Sequence, residues 1–510
     1  MKKIIISTIA VSALLFTTSC ETDFDTDVQD IVVTKGEADF SNYVSLGNSL
    51  TSGYRDNALY IDGQNESYPN IIAGQMKLAG GGDFVQPLMA DNNGGLVLGT
   101  TPIQATKLYI KEFVNGSPNI INVAGTPTTN IMNKITGNLN NFGVPGAKSF
   151  HLIAPGYGNV AGVVAGTANP YYVRFSSSTT STVADDAANK NPTFFSLWIG
   201  NNDVLSYATS GGAGVNQAGN VNPATYGSND ISDPNVVAAS IKAVLDKMKL
   251  KGATKGVVAN IPYVTSIPYF TTVPYNPVTP AALGANLNTL NTSLYGPLKQ
   301  ALTALGSGTR INLLSSTSSN PVLIKDTSLP DLSAGITAAL TPALGLPTAT
   351  AFGQIYGQAR QTTVEDYILL TTRGVIGTTV PGAPAAINVY GISYPLQNQH
   401  VLTKTEASTV KTAVDAYNTS IKTLADSYGL AFVDANKKMV ELNGQSGISF
   451  DGVRYTAKFV TGGTFSLDGV HLTGRGYAIV ANEFIKSINA KYKSTLPQVD
   501  PNKYSGVTFP

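Results

Sequence analysis

One cysteine, one tryptophan and three histidines in 510 residues leave few places for several kinds of chemistry. Cys20 has no partner cysteine, so no disulfide closes within the chain. There is no His-Glu-x-x-His and no Cys-x-x-Cys, so a metal centre has no sequence support and no cofactor is expected. Charge is sparse as well. Charged residues make up 13% of the chain, against roughly a quarter in ordinary soluble proteins. The formal net charge is +1, so bulk charge points to neither a nucleic-acid partner nor an acidic substrate. No internal repeat is found, and the one sustained apolar run, Ile4 to Phe16, is shorter than the about 20 residues that span a membrane.

That run is instead read as targeting. Lys2 and Lys3 precede it and Thr17-Thr18-Ser19-Cys20 follow it. Cys20, after a small residue and an apolar run, resembles the lipidation cysteine of bacterial lipoproteins, although Thr17 stands where leucine is more usual. The acidic stretch Glu21 to Asp27 has no periodicity and suits a flexible tether. Next to a lipidated cysteine it is similar to the surface-export signals of Bacteroidetes-type lipoproteins. The resemblance implies an envelope protein held on the outer membrane by lipid, with the cell surface as one of its possible sides.

What remains alternates helix and strand. Tyr43 to Leu46 suits a buried strand that breaks at Gly47 and delivers Ser49 at a helix start. Asn141 to Ser149 reads as a strand end, a glycine turn and a helix start. Phe194 to Ile199 is aromatic and β-branched, as a central strand is, and ends in Gly200-Asn201-Asn202-Asp203. Asp233-Pro234 opens a helix with Val237, Ile241, Val244 and Met248 on one face, and Gly256 to Pro262 follows as a strand. A second such unit starts at a capping box formed by Thr403 and Glu406 and ends in the strand Leu430 to Asp434. After Thr473 as N-cap, Tyr477, Val480, Phe484 and Ile488 mark a last amphipathic helix. Helix-then-strand units of this kind build a mostly parallel sheet between two helical layers.

In such a sheet the site lies beyond the carboxyl ends of the strands, where the turns at Ser49, Gly146 and Asn202 fall. A serine hydroxyl is a weak nucleophile and needs a base, an acid to orient the base, and oxyanion donors. Asp468-Gly469-Val470-His471 places an acid and a base three residues apart just before a helix. One imidazole nitrogen can take the serine proton while the carboxylate holds the other. Alone, each stretch is an ordinary turn, cap or surface ion pair; together, in one order, they form a set. His151 reads as structural and His400 as a solvated loop residue.

The four stretches Gly47-Asn48-Ser49-Leu50, Val144-Pro145-Gly146-Ala147, Gly200-Asn201-Asn202-Asp203 and Asp468-Gly469-Val470-His471 resemble the four blocks of the SGNH hydrolases, also called the GDSL esterase/lipase family. The resemblance implies a three-layer α/β/α, flavodoxin-like fold with a mostly parallel five-stranded sheet. It implies Ser49 as nucleophile, His471 as base and Asp468 as its partner. The oxyanion hole would be the Ser49 amide, the Gly146 amide and the Asn202 side chain. Asn48 replaces the aspartate of the GDSL name, which could alter how the turn is held. Thr51 stands where a G-x-S-x-G elbow has its second glycine, so the ordinary α/β-hydrolase pattern is absent.

The expected division is a signal peptide over 1–19, a tether over 20–39, one hydrolase domain over 40–490 and a tail over 491–510. Insertions fall at about 60–138, 156–190, 204–232 and 315–396. The last, rich in Ala, Leu and Val near 320 to 350, is a candidate lid and tilts the acyl specificity towards longer chains. The expected activity is hydrolysis of carboxylic esters, either lipid acyl esters or acetylated glycans, through an acyl-enzyme. The expected partners are that substrate and a membrane through the anchor, with no nucleic acid. The alternative is a surface lipoprotein that keeps the fold, has lost catalysis and binds glycan or lipid.

Overall fold

A computed structural model describes residues 32–114 and 116–510. Cys20, the signal peptide and most of the tether lie outside these residues. The core is one five-stranded sheet of β1 (Tyr43–Gly47), β2 (Asn141–Gly143), β3 (Phe194–Trp198), β4 (Gly256–Ala259) and β5 (Ala431–Val433). Every pairing is parallel, in the order β2-β1-β3-β4-β5. All residues of β1 to β4 are buried, which is why β1, β3 and β4 read as largely apolar runs without alternation.

Nine helices matter to the site and its frame. The first four are α1 (Ser49–Ser52), α2 (Tyr68–Leu78), α3 (Asn202–Thr209) and α4 (Pro234–Leu250). The others are α5 (Ser333–Leu344), α6 (Leu346–Tyr356), α7 (Lys404–Ser427), α8 (Ala435–Asn443) and α9 (Gly474–Tyr492). Asp233 caps α4 by accepting from Asn235 N at 2.8 Å, and Thr473 caps α9 by accepting from Gly476 N at 3.1 Å. At the start of α7, Thr403 N donates to Glu406 Oε2 at 2.8 Å, the backward half of a capping box.

The strand order sorts the helices. The chain moves from β3 to β4 to β5 in one direction and from β1 to β2 in the other, so right-handed crossovers put α4 and α7 on one face and α2 on the opposite one. α9 packs on α2 and α7 on α4, as this requires. Phe194 and Trp198, four residues apart on β3, point to the face that α2 and α9 cover. Phe194 meets Tyr492 edge-on at 5.6 Å, and Trp198 meets Tyr68 edge-on at 5.6 Å. α2 is therefore a crossover helix of the sheet. It lies inside the segment expected to be an insertion, because Pro69, Asn70 and Gly74 interrupt its apolar pattern.

A second apolar core lies within about 273–401. It contains α5 and α6 and the antiparallel strand pair that flanks them, Leu323–Lys325 and Ala359–Gln361. Its helices escape sequence reading because they are apolar on most sides and joined through Gly345, which leaves no 3.6-residue contrast. Buried Arg360 bonds Asp326 at 2.6 Å and Asp366 at 2.7 Å and closes this unit. The tail wraps back over the domain, with Ser505 N donating to Glu66 Oε1 at 3.0 Å. Among the described residues no helix is long and apolar enough to cross a membrane.

Candidate active site

Gly47 ends β1 where a side chain has no room, since a Cβ there would lie 2.1 Å from Thr51 Oγ1 and 2.4 Å from Trp198 O. The chain then turns through Asn48 into α1. Asn48 Oδ1 accepts from Leu50 N at 3.0 Å, and its Nδ2 donates to Asn201 Oδ1 at 3.1 Å. An amide serves here where a carboxylate would face the Asn201 carbonyl oxygen, so Asn48 is accounted for by its two partners. α1 is a single turn, shorter than the helix expected after Ser49. The Ser49 amide is thus a local donor and owes little to a helix dipole.

Ser49 Oγ lies 2.8 Å from His471 Nε2, and His471 Nδ1 lies 2.8 Å from Asp468 Oδ2. Ser49 is buried, and Asp468 and His471 are nearly so. Asp468 Oδ1 accepts from the amides of Val470 and His471, each at 2.8 Å, and from Ser466 Oγ at 3.1 Å. Asp468 Oδ2 also accepts from Asn57 N at 3.0 Å. Burial pushes the Asp468 carboxyl up, but the imidazole and these hydrogen bonds outweigh it and hold the group well below the usual carboxylate range. A carboxylate only accepts, so Nδ1 carries the ring proton and Nε2 presents its lone pair to Ser49 Oγ.

The oxyanion candidates converge from the neighbouring strand ends. β1 and β2 pair Gly47 with Gly143, and Val144 N donates to Gly47 O at 3.0 Å, which brings the Gly146 turn beside Ser49. Gly146 has φ +80°, and a Cβ there would meet only Asn169 Nδ2, at 4.0 Å. This turn thus needs glycine for its backbone and leaves its surface open. Asn202 Nδ2 donates to Ala147 O at 2.9 Å, which lays the carboxamide against the same turn. The amides of Ser49 and Gly146 have no acceptor among the described residues.

Several supports of this arrangement carry no motif. Asn169 Nδ2 donates to Pro145 O at 2.8 Å and fixes the turn before Gly146. Asp203 binds Ser149 through N at 2.8 Å and Oγ at 2.9 Å, tying the second block to the third. Burial holds the Asp203 carboxyl above its usual value. Asp56 accepts from Leu467 N at 3.1 Å and from Tyr60 at 2.7 Å, behind the triad loop. Asp203 stands inside a quoted block, and its buried position next to Asn202 is the one signal sequence could offer. Asn169 and Asp56 lie in stretches without periodicity.

His151 is structural: its Nδ1 accepts from Lys148 N at 3.1 Å and its ring stacks on Tyr157 at 4.5 Å. His400, expected to be solvated, is half-buried against Tyr390, because Nδ1 accepts from Gln397 N at 3.2 Å in a turn. The segment 315–396 does not line the cleft at Ser49; it touches the triad loop at Gly469, where a Cβ would lie 2.8 Å from Leu370. Among the described residues no group of His, Cys, Asp and Glu is arranged to hold a metal.

Fold and site together define an α/β protein with a Ser-His-Asp constellation beyond the strand ends where its sheet order reverses. No protein-family model, curated protein or solved structure matches the chain.

Proposed function

We propose that the protein is a serine esterase of the SGNH (GDSL) type, tethered through Cys20 to the outer membrane, which hydrolyses carboxylic esters through an acyl-enzyme. The observation that carries this reading is the unbroken line of contacts from Ser49 Oγ through His471 to Asp468, 2.8 Å at each step. As Ser49 Oγ attacks the ester carbonyl carbon, its proton passes to His471 Nε2. The Ser49 and Gly146 amides and Asn202 Nδ2 hold the oxyanion that forms. Collapse breaks the bond to the alcohol, which leaves with the proton from Nε2. Water then repeats the attack on the acyl-serine with His471 as base, releasing the acid and restoring Ser49.

The test is hydrolysis of nitrophenyl esters by purified protein and two variants. Ser49→Ala is expected to lose at least about a thousandfold in kcat. Asp468→Asn is expected to lose up to about ten-thousandfold with its fold intact, because the amide no longer selects the tautomer. Equal rates in wild type and Ser49→Ala would refute the esterase reading and favour the binding module. Membrane fractionation of Cys20→Ala reads the anchor: an unchanged membrane fraction counts against lipidation.

A further inference from the structure

The cleft that opens at Ser49 and His471 continues over the carboxyl ends of β3, β4 and β5, with a cavity volume of about 110 Å³. Two helices wall it with matching faces. α8 contributes Ala435, Lys438, Met439 and Leu442, and α9 contributes Gly476, Ile479, Val480 and Glu483. Both sets have the spacing i, i+3, i+4, i+7, which is one stripe of a helix. The aliphatic residues of both stripes face a shared slot that the protein's own side chains leave unfilled. Packed interiors avoid such gaps because lining atoms lose contacts, so an apolar slot joined to a nucleophile points to a ligand. Where α8 and α9 face each other, Lys438 Nζ lies 3.3 Å from Glu483 Oε1, an ion pair in the wall of an otherwise apolar path.

Resting on the esterase reading, we propose that this slot holds the acyl group of the substrate, and that the group is an unbranched aliphatic chain of medium length. From Gly476 at the triad end to Glu483 is seven residues, or about 10 Å of helix at 1.5 Å per residue. An extended carbon chain advances roughly 1.25 Å per bond, given bonds of about 1.5 Å and angles near 111°. The slot therefore takes about eight carbons along the α9 stripe. An acetyl group leaves the slot uncovered and gains nothing from it, so acetylated glycans are not the substrates it selects. The accessory core near 320 to 350, expected to set acyl length, takes no part in the slot.

The test compares nitrophenyl acetate, butyrate, octanoate and palmitate on wild type, Ser49→Ala and two slot variants of opposite effect. In wild type, kcat/KM should rise by about fourfold per methylene where each added carbon is buried, peak near octanoate and fall for palmitate. Val480→Phe narrows the slot and should lower the octanoate-to-butyrate ratio at least tenfold. Met439→Ala widens it and should move the peak to longer chains. Circular dichroism melts report whether each variant is folded, and a variant that is unfolded is replaced by Ala435→Leu, with the same expectation as Val480→Phe. If wild type prefers acetate, or if the length profile of every folded slot variant matches wild type, the slot assignment falls while the esterase reading stands. If wild type is no faster than Ser49→Ala on every ester, the esterase reading falls and the acyl assignment with it.

Discussion

Asn48 carries more of the nucleophile turn than its place beside Ser49 suggests. Its oxygen caps α1 at Leu50 N while its amide nitrogen satisfies the buried Asn201 oxygen. Asn48→Ala removes both bonds and leaves Asn201 Oδ1 unpaired. The expected cost is about 1–2 kcal/mol, with a loss of activity as Ser49 shifts. Asn48→Asp keeps the acceptor for Leu50 N, and rotation of the Asn201 amide by half a turn supplies a donor to the new carboxylate. It is expected to cost less than about 1 kcal/mol and to retain activity. Urea denaturation with esterase assays on both variants checks the order; an aspartate variant less stable than the alanine one would contradict this account of the turn.

At the scale of elements, the accessory core around α5 and α6 hangs on one buried cation. Arg360 serves Asp326 and Asp366 at once, and Asp366 also accepts from Lys404 N at 2.9 Å, at the first residue of α7. Burial raises both carboxyls; hydrogen bonds from Ser328 and then Arg360 more than reverse it at Asp326, and Arg360 with the Thr363 and Lys404 amides does so at Asp366, so both stay below the usual carboxylate range. Arg360→Ala strands two buried charges and is expected to cost about 3–5 kcal/mol. Lys411→Ala breaks an exposed pair with Asp415 on α7 and is expected to cost under about 1 kcal/mol. Urea midpoints of the two variants measure the difference, and equal midpoints would mean that the Arg360 cluster does not hold the unit together.

For the molecule as a whole, acid response has a named contributor near the Gly146 turn. Burial, and next the positive charge of Lys148, push the His151 imidazole down to about 4, from roughly 6.5 in the unfolded chain. Between these values the unfolded state binds the extra proton and the folded state does not. Stability contributed by neutral His151 is therefore present above about pH 6.5 and lost as pH falls towards 4, by on the order of 2–3 kcal/mol. Asp203 and Asp56 have raised values and act in the opposite sense at lower pH, so the reading is a difference between proteins. His151→Gln keeps an acceptor for Lys148 N and should lose less stability than wild type between about pH 7 and pH 4.5. Parallel slopes of unfolding free energy against pH in the two proteins would remove His151 from the account.

Sequence by itself determined the parts whose signals are local. Buried parallel strands show as apolar runs in Val44, Phe194 to Trp198 and Gly256 to Ala259, and capped helices show at Asp233, Thr403 and Thr473. The members of the Ser49, His471 and Asp468 set were legible because a turn, a glycine and an Asp-x-x-His spacing are each short-range features. Tertiary structure alone decided how they meet. Ser49 and His471 are 422 positions apart; parallel pairing of β1 with β2 and β3 brings the turns at Ser49, Gly146 and Asn202 to one edge, and α9, packed on α2 and β5, carries the His471 loop to it. It alone turned α2 from part of an insertion into a sheet helix, and it assembled supports such as Asn169 and Asp56, whose bonds span 24 and 411 positions. The slot between α8 and α9 belongs to the same class. Each stripe is visible in its own helix, but a stripe that packs and a stripe that faces a cavity have the same period, and only the distance between two helices tells them apart.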